Sequence, residues 1–342
     1  MRAAFRADAS TEIGSGHVMR CCVLADALRR RGVESLFLCR AGPGHPGEWL
    51  AERGYAVSSL PANLPPAEDA AACASALRPG VDFLVVDHYS LDQRWERSMQ
   101  GVARVRMVID DLANRSHDCD LLLDPNLAPR AESRYAKLVP STCTQLLGPT
   151  YALLREEFQA SASPPRLREN VQRVLVSFGG SDPDNLTEPA LREIENIPLA
   201  ADIVIGNANP HRSEIEHRCR VNDGRWTLHV QTSRMAELMA RADLALGAGG
   251  STHWERCRMG LPALVVAVAD NQIMPTQMLA ERGACLYLGE SRTLRNGAWR
   301  ESIAQFQRAP ESLRDMSRAA RGIVPAGNGA ERVAAQLMEL AG

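Results

Sequence analysis

The chain begins with MRAAFRADASTEIGSGHVMRCCVLADALRRRG (residues 1–32), and the period of its hydrophobic pattern changes along this stretch. Residues 1–8 form a short apolar run typical of a strand, and residues 9–17 form a turn that contains glycine. After the turn, apolar residues recur three and four positions apart, which places them on one face of a helix: Val18, Cys21, Cys22, Ala25 and Leu28. The stretch therefore predicts a strand, a loop and a helix in succession.

The same alternation of short apolar runs with helical patterns continues along the chain. In the first half it predicts strands at 35–40, 81–87, 105–110 and 119–124, and helices at 67–78 and 91–100. A second series with the same alternation runs from Val171 to Leu288, and the pattern is helical from there on. Such alternation is typical of an α/β protein with a parallel sheet covered by helices on both faces.

Length and one linker predict the domain organisation. The 342 residues fit two domains of about 100–200 residues each, and the serines and paired prolines of EFQASASPPRLREN (157–170) are typical of a linker. We predict two Rossmann-like, doubly wound domains that face a cleft, with an N-terminal domain at 1–158, a C-terminal domain at 169–323 and a C-terminal helix at 324–342 that could cross back to the first domain. Because ligands of open α/β sheets bind at the carboxyl ends of the strands, we expect the active site between the domains.

Composition argues against several classes of protein. The formal net charge of −2 and the pI near 6.5 lack the basic surplus of a nucleic-acid-binding protein. No apolar window approaches the length of a membrane-spanning helix, and the N-terminal segment lacks the apolar core of a secretory signal. The nine cysteines include no CxxC pair, so we expect reduced thiols. We therefore expect a cytoplasmic monomer without nucleic-acid or membrane partners.

Three glycine-containing loops each join a predicted strand to a predicted helix. They are ASTEIGSGH (9–17), FGGSDPDN (178–185) and GAGGST (247–252). Such loops present backbone N–H groups and the positive end of a helix dipole, which suits a phosphate. The third loop adds two hydroxyls, and Glu255 one turn later is placed to accept hydrogen bonds from ribose hydroxyls. Capped glycine turns and first-turn glutamates are also common without a ligand, and none of the loops matches GxGxxG or GxxxxGK[ST].

Polar residues end the strands of the first half. His17 follows Gly16 at a helix start, where the dipole favours a neutral imidazole that can accept a proton, although a polar cap is the alternative. His88 and Tyr89 follow one strand, and the Asp110–Asp111 pair ends another. Because adjacent strand residues alternate faces, at most one of the two aspartates is expected to face a substrate.

Two His–Cys pairs have the i,i+4 spacing of a helix face. They are His17 with Cys21 and His253 with Cys257. Two ligands do not make a metal site, and Cys21 already belongs to the apolar face of the first helix. We therefore expect no metal.

Six segments, in order from residue 1 to about residue 285, carry a resemblance. They are RADASTEIGSGHVMRCCVLADAL, VVDHYSLD, IDDLANRSHDCDLLLDPN, LLGPTYALLREEF, SFGGSDPDN and GAGGSTHWERCRMGLPALVVAVADNQ. The chain resembles the UDP-2,4-diacetamido-2,4,6-trideoxy-β-L-altropyranose hydrolases of pseudaminic acid biosynthesis, which have the glycosyltransferase-B fold. That family is similar to the peptidoglycan N-acetylglucosaminyltransferase, which also has a Gly-Gly-Ser/Thr loop followed by Glu. The transferase opens with a GGTGGH-type loop, whereas this chain has GSGH and then Arg20.

The resemblance implies metal-independent hydrolysis of a UDP-sugar, without a cofactor. Water attacks the anomeric carbon with inversion, UDP leaves, and His17 matches the proposed general base. Asp87 and Tyr89 match a segment near the sugar, with roles that stay unassigned. The resemblance places the diphosphate at residues 249–252, the ribose at Glu255 and the uracil near the backbone of Met235. The full set of implied substrate contacts is Gly14, Gly16, Arg20, Gly179, Gly180, Met235, Gly249, Gly250, Ser251, Thr252, Glu255, Asn271 and Gln272.

Three other functions stay open at this point. The same motifs would suit a glycosyltransferase with a sugar acceptor, a nonhydrolysing UDP-sugar 2-epimerase, or a nucleotide-sugar-binding protein without catalysis. The identity of the sugar also stays open, because its stereochemistry is recognised by side chains that the sequence does not place.

Overall fold

The computed structural model describes residues 1–10, 14–159, 166–207, 209–222 and 224–342. Residues 11–13 of the first predicted glycine loop and residues 160–165 of the predicted linker lie outside the described residues. The chain divides into two units. The first unit comprises Met1–Arg155 and Asn328–Gly342, and the second comprises Glu156–Gly327.

The first unit is built on a parallel sheet. Within its described residues the sheet has seven strands, namely β1 (Arg2–Ala7), β2 (Glu34–Arg40), β3 (Ala56–Leu60), β4 (Val81–Asp87), β5 (Ala103–Ile109), β6 (Leu121–Asp124) and β7 (Thr144–Leu147). Their order is β3-β2-β1-β4-β5-β6-β7. Both neighbours of β1 run parallel to it, with Phe5 opposite Phe37 of β2 and opposite Val85 of β4. The central strand β1 is therefore paired with a neighbouring strand along both of its edges.

Helices connect these strands and cover the sheet. They are α1 (Gly16–Arg29), α2 (Gly47–Glu52), α3 (Pro66–Ala76), α4 (Gln93–Ser98) and α5 (Ala131–Arg134), followed by a 3₁₀ turn at Pro149–Tyr151. The apolar residues predicted to share one face of α1 are all buried, which confirms the helical pattern. They belong to a core on one side of the sheet, and a second core on the other side includes Trp95 of α4.

The second unit repeats the design. Its strands are β8 (Arg173–Ser177), β9 (Ala200–Ile205), β10 (Trp226–Val230), β11 (Leu244–Ala248), β12 (Ala263–Ala267) and β13 (Leu286–Glu290). Its helices are α6 (Thr187–Ile194), α7 (Arg212–Val221), α8 (Met235–Arg241), α9 (Thr252–Arg258), α10 (Asp270–Glu281), α11 (Ala298–Arg308) and α12 (Pro310–Ile323), with 3₁₀ turns at Glu156–Phe158 and Ser291–Thr293. The strands are parallel and lie in the order β10-β9-β8-β11-β12-β13. This order matches that of the first unit strand for strand, except that the first sheet has one additional edge strand. Two Rossmann-like sheets thus confirm the predicted fold class.

The last helix, α13 (Gly329–Ala341), belongs to the first unit. It packs against α1, and Glu331 accepts hydrogen bonds from Arg30 and Arg31. Gly329 lets α13 approach the residue after the 3₁₀ turn at Pro149–Tyr151, because a Cβ there would lie 2.4 Å from the carbonyl oxygen of Ala152. None of the helices in the described ranges is long and apolar enough to cross a membrane.

Candidate active site

Each sheet has one topological switch point, where the strand order reverses. In the first unit it lies between β1 and β4, and in the second between β8 and β11. Open α/β sheets bind ligands at the carboxyl ends of the strands at such points. His17 follows β1 and Asp87 ends β4, while the loops at 178–185 and 247–252 follow β8 and β11. His17, Asp87 and these two loops therefore lie at the switch point of their own sheet.

His17 and Asp87 form a hydrogen-bonded pair at the first switch point. The Nδ1 atom of His17 lies 2.7 Å from Oδ1 of Asp87. An ionised carboxylate only accepts hydrogen bonds, so Nδ1 carries the proton and donates it. In the neutral ring Nε2 is then the basic nitrogen, and within the described residues it has no hydrogen-bond partner. The pair fixes the tautomer that a general base requires.

Arg20 keeps the Asp87 carboxylate ionised. Its Nε and Nη2 atoms donate to the two oxygens of Asp87, each at 2.6 Å. Burial alone would raise the pKa of Asp87, but the charges and hydrogen bonds of Arg20 and His17 outweigh burial and hold that pKa below its usual range. Arg20 Nη2 also lies 3.3 Å from His17 Nδ1, but both atoms are donors, so this approach is not a hydrogen bond.

Tyr89 and Asp111 complete this cluster. The ring of Tyr89 packs edge to face on the imidazole of His17, with ring centroids 4.7 Å apart. The Tyr89 hydroxyl donates to Oδ2 of Asp111 at 3.4 Å, and Arg20 Nη1 donates to the same oxygen at 3.2 Å. Burial and the negative charge of Asp111 raise the pKa of Tyr89, so its hydroxyl stays protonated. Tyr89 thus packs against His17 and donates a hydrogen bond to Asp111.

His88 is adjacent in sequence but is engaged elsewhere. Its Nδ1 accepts a hydrogen bond from the Ser90 N–H at 3.0 Å, which leaves the proton on Nε2. Nε2 then donates to Oδ2 of Asp8 at 3.1 Å, and Asp8 is held by the fully buried Arg6. Because both ring nitrogens of His88 are occupied, its geometry argues against a role as general base.

The two aspartates that follow β5 have different partners. Asp110 is buried beside Arg115 and His117, whereas Asp111 contacts Arg20 and Tyr89. His117 Nδ1 also donates to Glu96 at 2.6 Å. Burial lowers the pKa of His117, but the nearby carboxylates of Asp110 and Glu96 outweigh burial and raise that pKa to about 9. The buried network anchors the segment that carries Asp111.

This network predicts a pH-dependent stability. The folded-state pKa of His117 lies above its ordinary value of 6.5, so its contribution is fully present below that value and is lost as pH rises through about 9. We expect His117→Gln to reduce the free energy of unfolding by about 3 kcal/mol more at about pH 6 than at about pH 10. Denaturant titrations of both proteins measure this, and ionisation of the cysteines cancels in the difference. An equal loss at both values would contradict it.

The described part of the first glycine loop turns back on itself before α1. The N–H of Gly14 donates to the Ser10 carbonyl at 2.9 Å, and Gly14 has a φ of 76°, a conformation that glycine adopts without strain. Among the described residues, no atom lies within 4 Å of the position of a Cβ on Gly14 or Gly16. Both predicted contacts thus have room for an approaching ligand.

The GAGGST loop presents backbone donors at the second switch point. Within the described residues, the N–H groups of Gly250, Ser251 and Thr252 have no hydrogen-bond acceptor, and the Ser251 side chain does not cap α9. Gly249 allows Gln272 to approach, because a Cβ there would lie 2.9 Å from Gln272 Oε1. The predicted residues 249–252 and Gln272 are therefore neighbours.

A buried network that the sequence did not indicate fixes this arrangement. Arg256 donates to the Ala248 carbonyl and to Nδ1 of His253, each at 2.9 Å. Burial and the Arg256 charge hold the pKa of His253 well below its usual range, so Nε2 carries the single proton toward Thr276 Oγ1, 2.9 Å away. Thr276 donates to the Gln272 carbonyl at 2.6 Å. Both nitrogens of His253 are thus occupied, and Nε2 links α9 to α10. Among the described residues no cluster suited to a metal was found.

The loop at 178–185 differs from the phosphate-binding expectation at its helix. The carboxylate of Asp182 accepts hydrogen bonds from the N–H groups of Leu186 and Thr187, at 2.9 and 3.0 Å, and so covers the start of α6 itself. Gly180 serves packing, because a Cβ on the facing Gly206 would lie 2.7 Å from its carbonyl oxygen. Among the described residues, no atom lies within 4 Å of the position of a Cβ on Gly179, and Gly179 and Gly180 are both exposed.

The remaining predicted residues lie around the same end of the second sheet. Glu255 is half-buried on the first turn of α9, and Asn271 is half-buried on the first turn of α10. Met235 is buried at the start of α8, where Glu157 accepts a hydrogen bond from the N–H of Ala236 at 2.8 Å. The two helix starts at 252 and 270 thus bring Glu255, Asn271 and Gln272 to the carboxyl edge of the strands.

The chain is similar to known proteins in sequence and in structure. Residues 174–337 match the glycosyltransferase family 28 C-terminal domain. The MurG protein of Acinetobacter baumannii has a similar structure, with a TM-score of 0.66 at 15% identity over 99% of this chain and 100% of that one. The chain has a glycosyltransferase-B fold.

Two curated relatives align in sequence. The spore coat polysaccharide biosynthesis protein SpsG of Bacillus subtilis is 34% identical over 146 residues, which are 42% of this chain and 43% of that protein. The chain thus spans less than half the length of this relative. The UDP-2,4-diacetamido-2,4,6-trideoxy-β-L-altropyranose hydrolase of Campylobacter jejuni is 25% identical over 284 residues, 83% of this chain and 97% of that protein.

Proposed function

We propose that this chain hydrolyses a UDP-linked 2,4-diacetamido-2,4,6-trideoxyhexose to UDP and the free sugar, without a metal, in pseudaminic acid biosynthesis. The observation that carries the proposal is the hydrogen bond from His17 Nδ1 to Asp87, which leaves Nε2 as a proton acceptor at a sheet switch point. The similarity to the Campylobacter jejuni hydrolase along nearly its full length supports this choice of substrate.

The proposed reaction is a single displacement at the anomeric carbon. His17 Nε2 takes a proton from water as the water oxygen forms a bond to that carbon. The bond between the carbon and the diphosphate oxygen breaks, and its electron pair leaves with UDP. Attack from the face opposite the leaving group inverts the configuration. Asp87 stabilises the imidazolium that forms, and Arg20 keeps Asp87 ionised throughout.

The second unit supplies the UDP contacts in this proposal. The N–H groups of residues 250–252 would stabilise the charge that develops on the diphosphate without a metal. Glu255 would accept hydrogen bonds from the ribose hydroxyls, and the backbone near Met235 would contact uracil. Asn271 and Gln272 would contact the sugar or the diphosphate.

UDP release with and without a sugar acceptor tests the proposal. The protein is incubated with candidate UDP-sugars, and UDP and the sugar products are separated and quantified. We expect UDP release without an acceptor. Release only when an acceptor is present would indicate a glycosyltransferase, an interconverted UDP-sugar would indicate an epimerase, and tight binding without a product would indicate a binding protein.

Glu255→Ala is expected to weaken UDP binding. The loss of a charge-assisted hydrogen bond to ribose is worth about 1–3 kcal/mol, or roughly 5- to 150-fold in Kd. Calorimetric titration of UDP into both proteins measures the difference. Glu216→Ala, on the exposed side of α7, is the control and should bind UDP as the wild type does. Equal affinity of Glu255→Ala and wild type would remove Glu255 from the UDP site.

A further inference from the structure

Asp111 has a buried oxygen that the protein leaves unused. Its side chain is only 8% exposed, and within the described residues Oδ1 has no hydrogen-bond partner. A buried polar atom without a partner costs free energy, and it is rare in native proteins unless a ligand or function requires it. The other oxygen, Oδ2, is engaged by Arg20 and Tyr89.

The neighbouring Asp110 follows the same strand, but its carboxylate has charged partners within the protein. Oδ1 of Asp110 also lacks hydrogen-bond geometry, but it lies 2.7 Å from Arg115 Nη1 in an ion pair and 3.8 Å from His117 Nε2. Its charge is therefore met inside the protein. For Asp111, the ion-pair contact with Arg20 is made to Oδ2, and Oδ1 has no hydrogen-bond partner within the described residues.

Contacts from three residues fix the orientation of Asp111 and thus of Oδ1. Arg20 and Tyr89 hold Oδ2, and Arg134 Nη2 donates to the backbone carbonyl of Asp111 at 2.9 Å. Arg20 and Tyr89 are also the residues that contact the His17–Asp87 pair. The unused oxygen thus belongs to the cluster that holds the proposed general base.

We infer that Asp111 Oδ1 accepts a hydrogen bond from an O–H or N–H group of the sugar and so determines which sugar is turned over. A carboxylate oxygen can only accept, so its partner must be a donor. Arg20 already supplies the cation of the cluster, which favours a neutral donor. Hydroxyl and acetamido groups are the neutral donors of the proposed substrate, on which this inference rests. A site built to hydrogen-bond such a group rejects the analogue that lacks it.

Asp111→Asn tests the inference, because it keeps the shape but changes an acceptor into a donor. The amide oxygen can still accept from Arg20 and Tyr89, which turns the NH₂ group to the position of Oδ1. Substrates are compared in which each hydroxyl is replaced by hydrogen and each acetamido nitrogen is methylated, one at a time. In the wild type, we expect one analogue to lower kcat/KM by about 10- to 100-fold relative to the unmodified substrate. In Asp111→Asn, replacing the unmodified substrate with this analogue should lower kcat/KM little. The analogue that behaves so distinguishes O–H from N–H.

Two controls separate this inference from the proposed function. Asp118→Asn, at an aspartate paired with Arg97 and Arg106, should keep the wild-type pattern. The same comparison by equilibrium binding of the UDP-sugars tests Asp111 even without turnover. If the wild type hydrolyses the substrates and Asp111→Asn loses the same factor on every one, the inference is wrong and the function stands. If the wild type binds with the expected pattern but does not hydrolyse, the function is wrong and the inference stands.

Discussion

Replacing His17 with asparagine is expected to lower the turnover rate by roughly 100- to 10,000-fold, the usual contribution of a positioned general base. Asparagine has no nitrogen that can accept the proton of water. UDP affinity should be nearly unchanged, because the residues proposed to bind UDP belong to the second unit. Steady-state kinetics and UDP titration measure the two quantities.

The second unit offers a matched control for His17. His229 Nε2 lies 2.9 Å from the buried Asp202, so a histidine and an aspartate form a similar pair away from the proposed site. His229→Asn should therefore keep normal turnover per folded molecule. Near-normal turnover of His17→Asn would contradict the role of general base and leave His17 as a polar residue at the start of α1.

Asp87→Asn is expected to lower turnover by roughly 1,000-fold or more, although Asp87 is not proposed to touch the water. The NH₂ group of asparagine can donate to Nδ1, which moves the ring proton to Nε2 and removes the base. Loss of the orienting carboxylate in a comparable aspartate–histidine arrangement has an effect of about this size. Nitrogen-15 NMR of His17 should show the proton on Nδ1 in the wild type and on Nε2 in the variant.

A stability effect must be separated from this positioning role. Arg20 loses its bidentate partner in Asp87→Asn, so the variant should also unfold more easily. Asp202→Asn removes a buried carboxylate from Arg173, Arg241 and His229 in the second unit, and it is the matched control. It should be destabilised with normal turnover per folded molecule. An unchanged His17 tautomer in Asp87→Asn would contradict the positioning role.

Much of the fold could be predicted from the sequence, because buried parallel strands and amphipathic helices have distinct periods. The strands missing from the prediction are β3 and β7, which lie at the two edges of the first sheet and are short, with polar residues such as Ser58 and Gln145. The pattern likewise did not indicate α7, in which only Ile215 and Cys219 are buried. Edge strands and polar helices bury too little apolar surface to leave a clear periodic signal.

The sequence indicated candidate site residues but not the contacts between them. His17 and Asp87 are 70 positions apart, and they meet because β1 and β4 are neighbours, which periodicity does not encode. The loops that follow strands were identifiable, since turn residues interrupt apolar runs there. The capping by Asp182 was not, because the same residues suit a phosphate site or a self-capped helix. The unused oxygen of Asp111 depends on which partners surround it, and only the structure gives those.

Hydrolysis in water labelled with oxygen-18, without any sugar acceptor, tests the central claim most directly. The substrate is a UDP-linked 2,4-diacetamido-2,4,6-trideoxyhexose, and the products are analysed by mass spectrometry and by NMR before the free sugar mutarotates. We predict one labelled oxygen on the anomeric carbon of the sugar, inverted configuration at that carbon, and unlabelled UDP. Label in UDP, retained configuration, or no UDP release without an acceptor would contradict water attack at the anomeric carbon.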